Sequence, residues 1–163
     1  MNYDSAASTF LLSASLAGPV GSAPGFYVIG VNTGTGTIAP FANIGEPNVR
    51  FNQAIVIQPS GAANIGSTTL ATGSVTINGN MFSALIPLSL LPSTGFLPQD
   101  YGFNLWPRSG SGQNAQIADF APQNATLAAG VPEPGTWAMM LVGFGAAGYS
   151  LRRRRTLPAM QPA

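Results

Sequence analysis

The side chains that most often carry catalysis are scarce in this sequence, and two kinds are missing altogether. With no cysteine and no histidine, the chain lacks disulfides, thiolate nucleophiles and thiolate zinc sites, the usual general base near neutral pH and the commonest metal ligand. Its carboxylates, Asp4, Glu46, Asp100, Asp119 and Glu133, are scattered and show no paired-acid pattern. These features point away from an enzyme and imply no cofactor and no metal. Two groups remain whose types and spacing could do chemistry. In Pro132-Glu133-Pro134, two prolines fix φ on either side of a carboxylate and present it in an extended, poorly helical turn, the geometry a processing enzyme needs. In Gln99–Arg108, the densest aromatic cluster of the body, Tyr101, Trp106 and Arg108 could form a stacking platform for sugar rings. The same stretch also reads as the central strand of a sandwich, with Tyr101, Phe103 and Leu105 inward, and that reading is preferred.

The elements that must position these groups are read from composition and periodicity. At 163 residues the chain fits one modest domain plus an appendage. Only 7% of residues are charged, against roughly 25% in an ordinary soluble domain, so Ser, Thr, Asn, Gln and Gly must supply the polar surface. Such a surface is common in secreted β-proteins. The net charge of +1 hides an asymmetry, because four of the six basic residues are Arg152, Arg153, Arg154 and Arg155. The body is therefore mildly acidic, which argues against nucleic acid as a partner.

Along the chain, Phe10, Leu12, Ala14 and Leu16 alternate with Leu11, Ser13 and Ser15, a strand period. An export signal is the lesser reading there, since Asp4 stands where a positive charge belongs. Phe26–Val31 is an apolar run of strand length, and Asn32–Thr37 a glycine-rich loop or tight hairpin. No lysine and no helical pattern follow that loop, so it is not a phosphate cradle. Val49–Gln58 is a further strand, and Leu70–Ile77 pairs with Met81–Leu91 through Asn78-Gly79-Asn80, where Asn-Gly suits a type I′ turn. Pro87 belongs at a strand edge or end.

Leu91-Pro92-Ser93-Thr94-Gly95 matches the L-P-x-T-G pattern cut by sortases, but no apolar segment and basic tail follow directly, and a proline-initiated turn is preferred. Gln116–Phe120 reads as one more short strand and residues 121–130 as a linker. Glu46 with Arg50, and Asp100 with Arg108, are candidate surface ion pairs worth about 0–1 kcal/mol. The expected fold is all-β, an antiparallel β-sandwich of about seven or eight strands, Ig-like or jelly-roll-like, over residues 1–120.

The tail reads differently. Trp137–Leu151 is fifteen uncharged residues, about 22 Å as a helix against a hydrocarbon core of about 30 Å. Bilayer thinning and arginine snorkelling shorten the gap, and Trp137 and Tyr149 suit the two interfaces. Four arginines directly after the run make it a transmembrane helix rather than a core helix, with the arginines and residues 156–163 on the cytoplasmic side and the β-domain outside.

Pro132-Glu133-Pro134, Trp137-Ala138, the apolar helix around Gly143-Phe144-Gly145 and Arg152–Arg155 together resemble the PEP-CTERM sorting signal in its P-E-P-x-x-W-A variety, over 131–155. The resemblance implies a Gram-negative, exopolysaccharide-producing bacterium. In it an exosortase, a membrane-embedded cysteine protease, recognises Pro132-Glu133-Pro134, removes the helix and releases the body or passes it to the cell surface. The missing signal peptide then implies a start upstream of Met1. The expectation is an exported envelope or extracellular-matrix protein, not an enzyme, held transiently in the inner membrane with its β-domain in the periplasm. The alternatives are a carbohydrate-binding module of the exopolysaccharide matrix and an unprocessed single-span membrane protein.

Overall fold

Alternation of apolar and polar residues sets the first hairpin. Strand β1 (Asn2–Asp4) turns back onto β2 (Thr9–Ser15), with Tyr3 opposite Phe10. Asp4 Oδ1 accepts the backbone N–H groups of Ala6 and Ala7 at 2.9 and 3.0 Å, the local side-chain bonding that makes aspartate a turn former. Within β2, Phe10 and Leu12 are buried while Leu11 and Ser13 face out, as the period-two reading requires. The computed structural model describes residues 1–110 and 112–129, together with Val142 and Phe144. The chain divides into Met1–Val131 and Pro132–Ala163, and the strands among the described residues belong to the first unit.

The remaining strands are β3 (Phe26–Asn32), β4 (Gln53–Ile57), β5 (Ala63–Ile65), β6 (Thr68–Thr69), β7 (Val75–Asn78), β8 (Met81–Pro87), β9 (Gly102–Arg108) and β10 (Leu127–Ala128). They form a four-stranded sheet in the order β1-β2-β8-β7 and a six-stranded sheet in the order β10-β9-β3-β4-β5-β6. Every ladder is antiparallel. Phe10, Leu12, Phe82, Ala84 and Ile86 of the first sheet share one core with Tyr27, Ile29, Val31, Ile55, Phe103 and Leu105 of the second. Phe10 bridges the sheets, its ring 5.4 Å from both Tyr101 and Phe103. Two antiparallel sheets facing across an apolar layer are the all-β arrangement expected, with ten strands among the described residues.

The six-stranded sheet is buried on its other face as well. There Val28 and Trp106 pack with Phe41 and Val49, and partly buried Phe51, Ile117 and Phe120 complete the layer. The Trp106 ring lies 5.1 Å from Phe41 and 4.9 Å from Phe51. Gly30, midway along β3, makes room for it, since a Cβ there would stand 2.6 Å from the indole ring. The cover comes from irregular chain, the β3–β4 connection and the segment after β9, and not from further strands.

Several expectations are corrected. The strand expected over Val49–Gln58 begins at Gln53, and Val49 instead plugs the outer cluster. Leu70–Ile77 is not one strand: Leu70 follows β6 into the core, a turn intervenes, and only Val75–Asn78 pairs with β8. In the β7–β8 hairpin Asn78 pairs with Met81, leaving Gly79-Asn80 as the loop. Only Gly79 has positive φ, 60°, so glycine at the first loop position gives the type II′ pattern rather than type I′. Pro87 does end β8. Gln116–Phe120 is not a strand: a 3-10 turn at Asn114–Gln116 leads to a single bridge between Ile117 and Arg108. The linker expected at 121–130 is largely folded chain, as it carries β10 and buried Ala129. The transmembrane helix expected at 137–151 lies outside the described residues except for Val142 and Phe144, both helical and exposed. Among the described residues no helix is long and apolar enough to cross a membrane.

Candidate functional site

The chain approaches its tail along the edge of the six-stranded sheet, where it is tied down at successive points. Ala121 exchanges backbone hydrogen bonds with Leu105, 2.8 and 2.9 Å. The Asn104 side-chain amide donates to the carbonyls of Pro122 and Ala125. The N–H of Asn124 donates to Glu46 Oε2, and Asn124 Oδ1 accepts from Asn48 N at 3.0 Å. Leu127 and Ala128 then pair with Phe103 and Gly102, and Ala129 N donates to Tyr101 O at 3.0 Å. Glu46 and Asn104 are two of three buried polar or charged residues among the described ones, with Thr33 the third. A buried carboxylate needs donors in place of water, and here backbone supplies one. Glu46 therefore acts on residue 124 and not, as expected, on Arg50.

The aromatic platform weighed as the lesser reading of Tyr101, Trp106 and Arg108 is not assembled on one surface. Tyr101 is 0% exposed and lies in the core between the sheets, its hydroxyl donating to Leu91 O at 3.0 Å. Burial pushes its phenol above the ordinary value of 10.0. Trp106 is 2% exposed and belongs to the opposite face of the sheet. Its indole N–H has no partner among the described residues. Arg108 is half-buried at the end of β9 and donates from Nη2 to Gln113 O at 3.0 Å, while its buried Nε has no partner among the described residues. Neither ring thus offers a face for stacking, and Arg108 is engaged by backbone where Asp100 is the expected partner.

Open space lies beside Arg108 instead. Two adjoining clefts, about 320 and 410 Å³, share Ala23, Tyr27, Pro107 and Ala118 on their walls. Arg108, Ser109 and Gln116 line the first, and Ser22, Asp119 and Phe120 the second. Among the described residues no group of three or more His, Cys, Asp or Glu could hold a metal ion.

Leu91-Pro92-Ser93-Thr94-Gly95 is integrated into the body. Leu91 is buried, and the carbonyl of Thr94 accepts from both Thr35 N at 3.1 Å and Thr35 Oγ1 at 2.8 Å. The Thr94 hydroxyl meets Thr33 Oγ1 and the Asn52 amide at 3.1 and 2.9 Å. This network, like the holds of Glu46 and Asn104, escapes sequence reading because the partners stand far apart in the chain, Thr33 and Thr94 by 61 residues and Glu46 and Asn124 by 78. The one local signal is the isolated polar residue within an apolar strand, Asn104 in β9.

Pro132, Glu133, Pro134, Trp137 and Arg152, Arg153, Arg154 and Arg155 lie outside the described residues, and comparison with known families speaks for them. Residues 130–155 match the PEP-CTERM protein-sorting motif. The PEP-CTERM match holds the proline-flanked glutamate, the apolar run and the arginines in one segment, and it begins directly after Ala129, which donates to Tyr101 O. No curated protein and no solved structure matches the chain. The motif implies that an exosortase sorts the protein, by way of export and a transient stay in the membrane; it carries nothing over to the β-body.

Proposed function

We propose that the chain is an exported envelope or extracellular-matrix protein that an exosortase processes at its C-terminal tail, with a β-body that is structural rather than enzymatic. The observation that carries this reading is the match at residues 130–155. Pro132-Glu133-Pro134 is the recognised element, and Trp137–Leu151 holds the precursor in the inner membrane. Arg152–Arg155 keep the C-terminus cytoplasmic, so that the body stands in the periplasm before release to the surface or matrix. Two properties of the body suit that route. It has no thiol to oxidise, and its surface depends on neutral polar groups rather than on charge.

Intact-mass spectrometry of the native protein from its Gram-negative host tests the reading. The mature species is expected to lack Trp137–Arg155, and Glu133→Ala is expected to retain that segment. A native mass that keeps the segment would instead establish an unprocessed single-span protein.

A carbohydrate-binding body is a second reading, favoured by the adjoining clefts, where Tyr27 and Phe120 stand near Arg108, Ser22 and Asp119. Apolar ring faces with a few polar groups are what sugar sites use. Affinity electrophoresis in gels containing the host's exopolysaccharide checks it: retardation that Phe120→Ala and Arg108→Ala abolish supports the site, and unretarded migration removes it.

A further inference from the structure

The bonds that hold residues 122–129 have a consequence for how a protease reaches the adjoining motif. Ala129 is fixed to Tyr101, and Pro132 follows three residues later, a span of at most about 11 Å. A folded unit of this length has a radius of gyration of about 14 Å. An enzyme that grips Pro132-Glu133-Pro134 from within the membrane must therefore meet the body surface almost at once. We propose that residues 122–129 form a releasable strap: the motif is engaged after this segment peels from β9, and the strength of its docking sets the rate of processing. The inference rests on the sorting reading and adds a regulatory element to it.

The structure gives the strap the marks of a separable piece. It lies at the edge of the six-stranded sheet, and β10 is two residues long with both residues exposed. Short edge segments with few apolar contacts open at lower free energy than central strands. Three of its holds come from side chains outside the strap, Glu46 on Asn124 N and Asn104 on the carbonyls of Pro122 and Ala125, beside the short β10 ladder, the bond from Asn48 N to Asn124 Oδ1 and that from Ala129 N to Tyr101 O. Residues 122–129 carry no charge of their own. Release back to Ala121, which stays bonded to Leu105, lengthens the reach to Pro132 to about 38 Å, enough to clear the body.

The test uses the full chain co-expressed with its exosortase, following precursor loss by immunoblot. Glu46→Ala and Asn104→Ala are each expected to speed processing about tenfold, the factor that loss of about 1.4 kcal/mol of docking confers. Eight Gly/Ser residues inserted between Ala129 and Gly130 are expected to speed it similarly, because they supply reach without touching the fold. Combining the insertion with Glu46→Ala should add nothing further. Processing of the insertion variant at the wild-type rate overturns the strap, and so does an added gain from Glu46→Ala in the lengthened chain. Should either alanine variant unfold the body, the insertion variant alone decides. If the wild-type chain is never cut, the sorting reading itself falls, a result separable from an unchanged rate among cut variants.

Discussion

Two apolar layers lie on either side of the six-stranded sheet, and they are built by different means. The layer between the sheets is closed by strands on both sides, with Phe10, Phe82 and Ile86 facing Ile29, Ile55 and Phe103. The outer layer is closed by irregular chain, through Phe41, Val49, Phe51 and Phe120 around Trp106. Strand β9 supplies both, sending Phe103 and Leu105 one way and Trp106 the other. The three buried side-chain atoms without a partner among the described residues, Asn104 Oδ1, Trp106 Nε1 and Arg108 Nε, all sit on residues with Trp106's parity. The facing strands aim mostly apolar side chains into the core between them, whereas the side chains that β9 sends to the outer face carry polar atoms that the covering loops leave unpaired. Loops can bury aromatic residues as fully as strands do, at the cost of poorer hydrogen-bond satisfaction.

Alanine at Phe10 and at Trp106 puts the two layers in direct competition. Each substitution is expected to cost about 3–5 kcal/mol by urea denaturation, and a loss under about 1 kcal/mol at Trp106 would reduce the outer layer to a cover without stabilising weight. Gly30→Ala probes the seam, because its new Cβ must displace an indole 2.6 Å away. We expect about 1–3 kcal/mol of destabilisation and a red-shifted Trp106 emission; unchanged emission would show that the ring does not rest on Gly30.

Tyr101→Phe should cost about 0.5–1.5 kcal/mol through the lost bond to Leu91 O. It should also change the alkaline limb of stability. Because burial raises the folded-state phenol above 10.0, both states are neutral below about pH 10 and this contribution is fully present. As pH rises further, the unfolded phenol ionises first, the folded state retains more protons, and stability falls. Thermal melts from pH 9 to 11 should show a fall attributable to Tyr101 that is reduced in the phenylalanine variant. The smallest effect belongs to the open face of the four-stranded sheet, where Leu11 and Leu85 pair at 42% and 52% exposure. Leu85→Ser is expected to stay within about 0.5 kcal/mol of wild type, and a larger loss would mean that this face, too, packs against something.

The same contrast explains what can be read from the chain. Strand β2 is legible because Phe10 and Leu12 alternate with exposed neighbours, and Phe103 and Leu105 because the strand period aims both inward, with Tyr101 extended just ahead of β9 and buried in the same core. The outer layer is not, since nothing local tells Val49 or Phe120 that Trp106 awaits it on another segment. Val49 shares its parity with Phe51, a strand pattern that a loop residue can mimic by chance. Strands β5, β6 and β10 are two or three residues long, too short for any period to register. The sorting segment is the reverse case: its signals are contiguous, so residues 130–155 are readable without a fold. The holds of Glu46 and Asn104 are not, because they join positions that only folding brings together.

The network of Thr33, Thr35, Asn52 and Thr94 has a property that its bond lengths do not convey. It joins the end of β3, the approach to β4 and the loop before β9 across 61 residues, and none of its members can ionise between acid and alkaline extremes. Ionic strength acts on charges, with a screening length of about 8 Å at 0.15 M, and these four side chains carry none. A fold stitched by hydroxyls and an amide keeps this seam in brine as in dilute water.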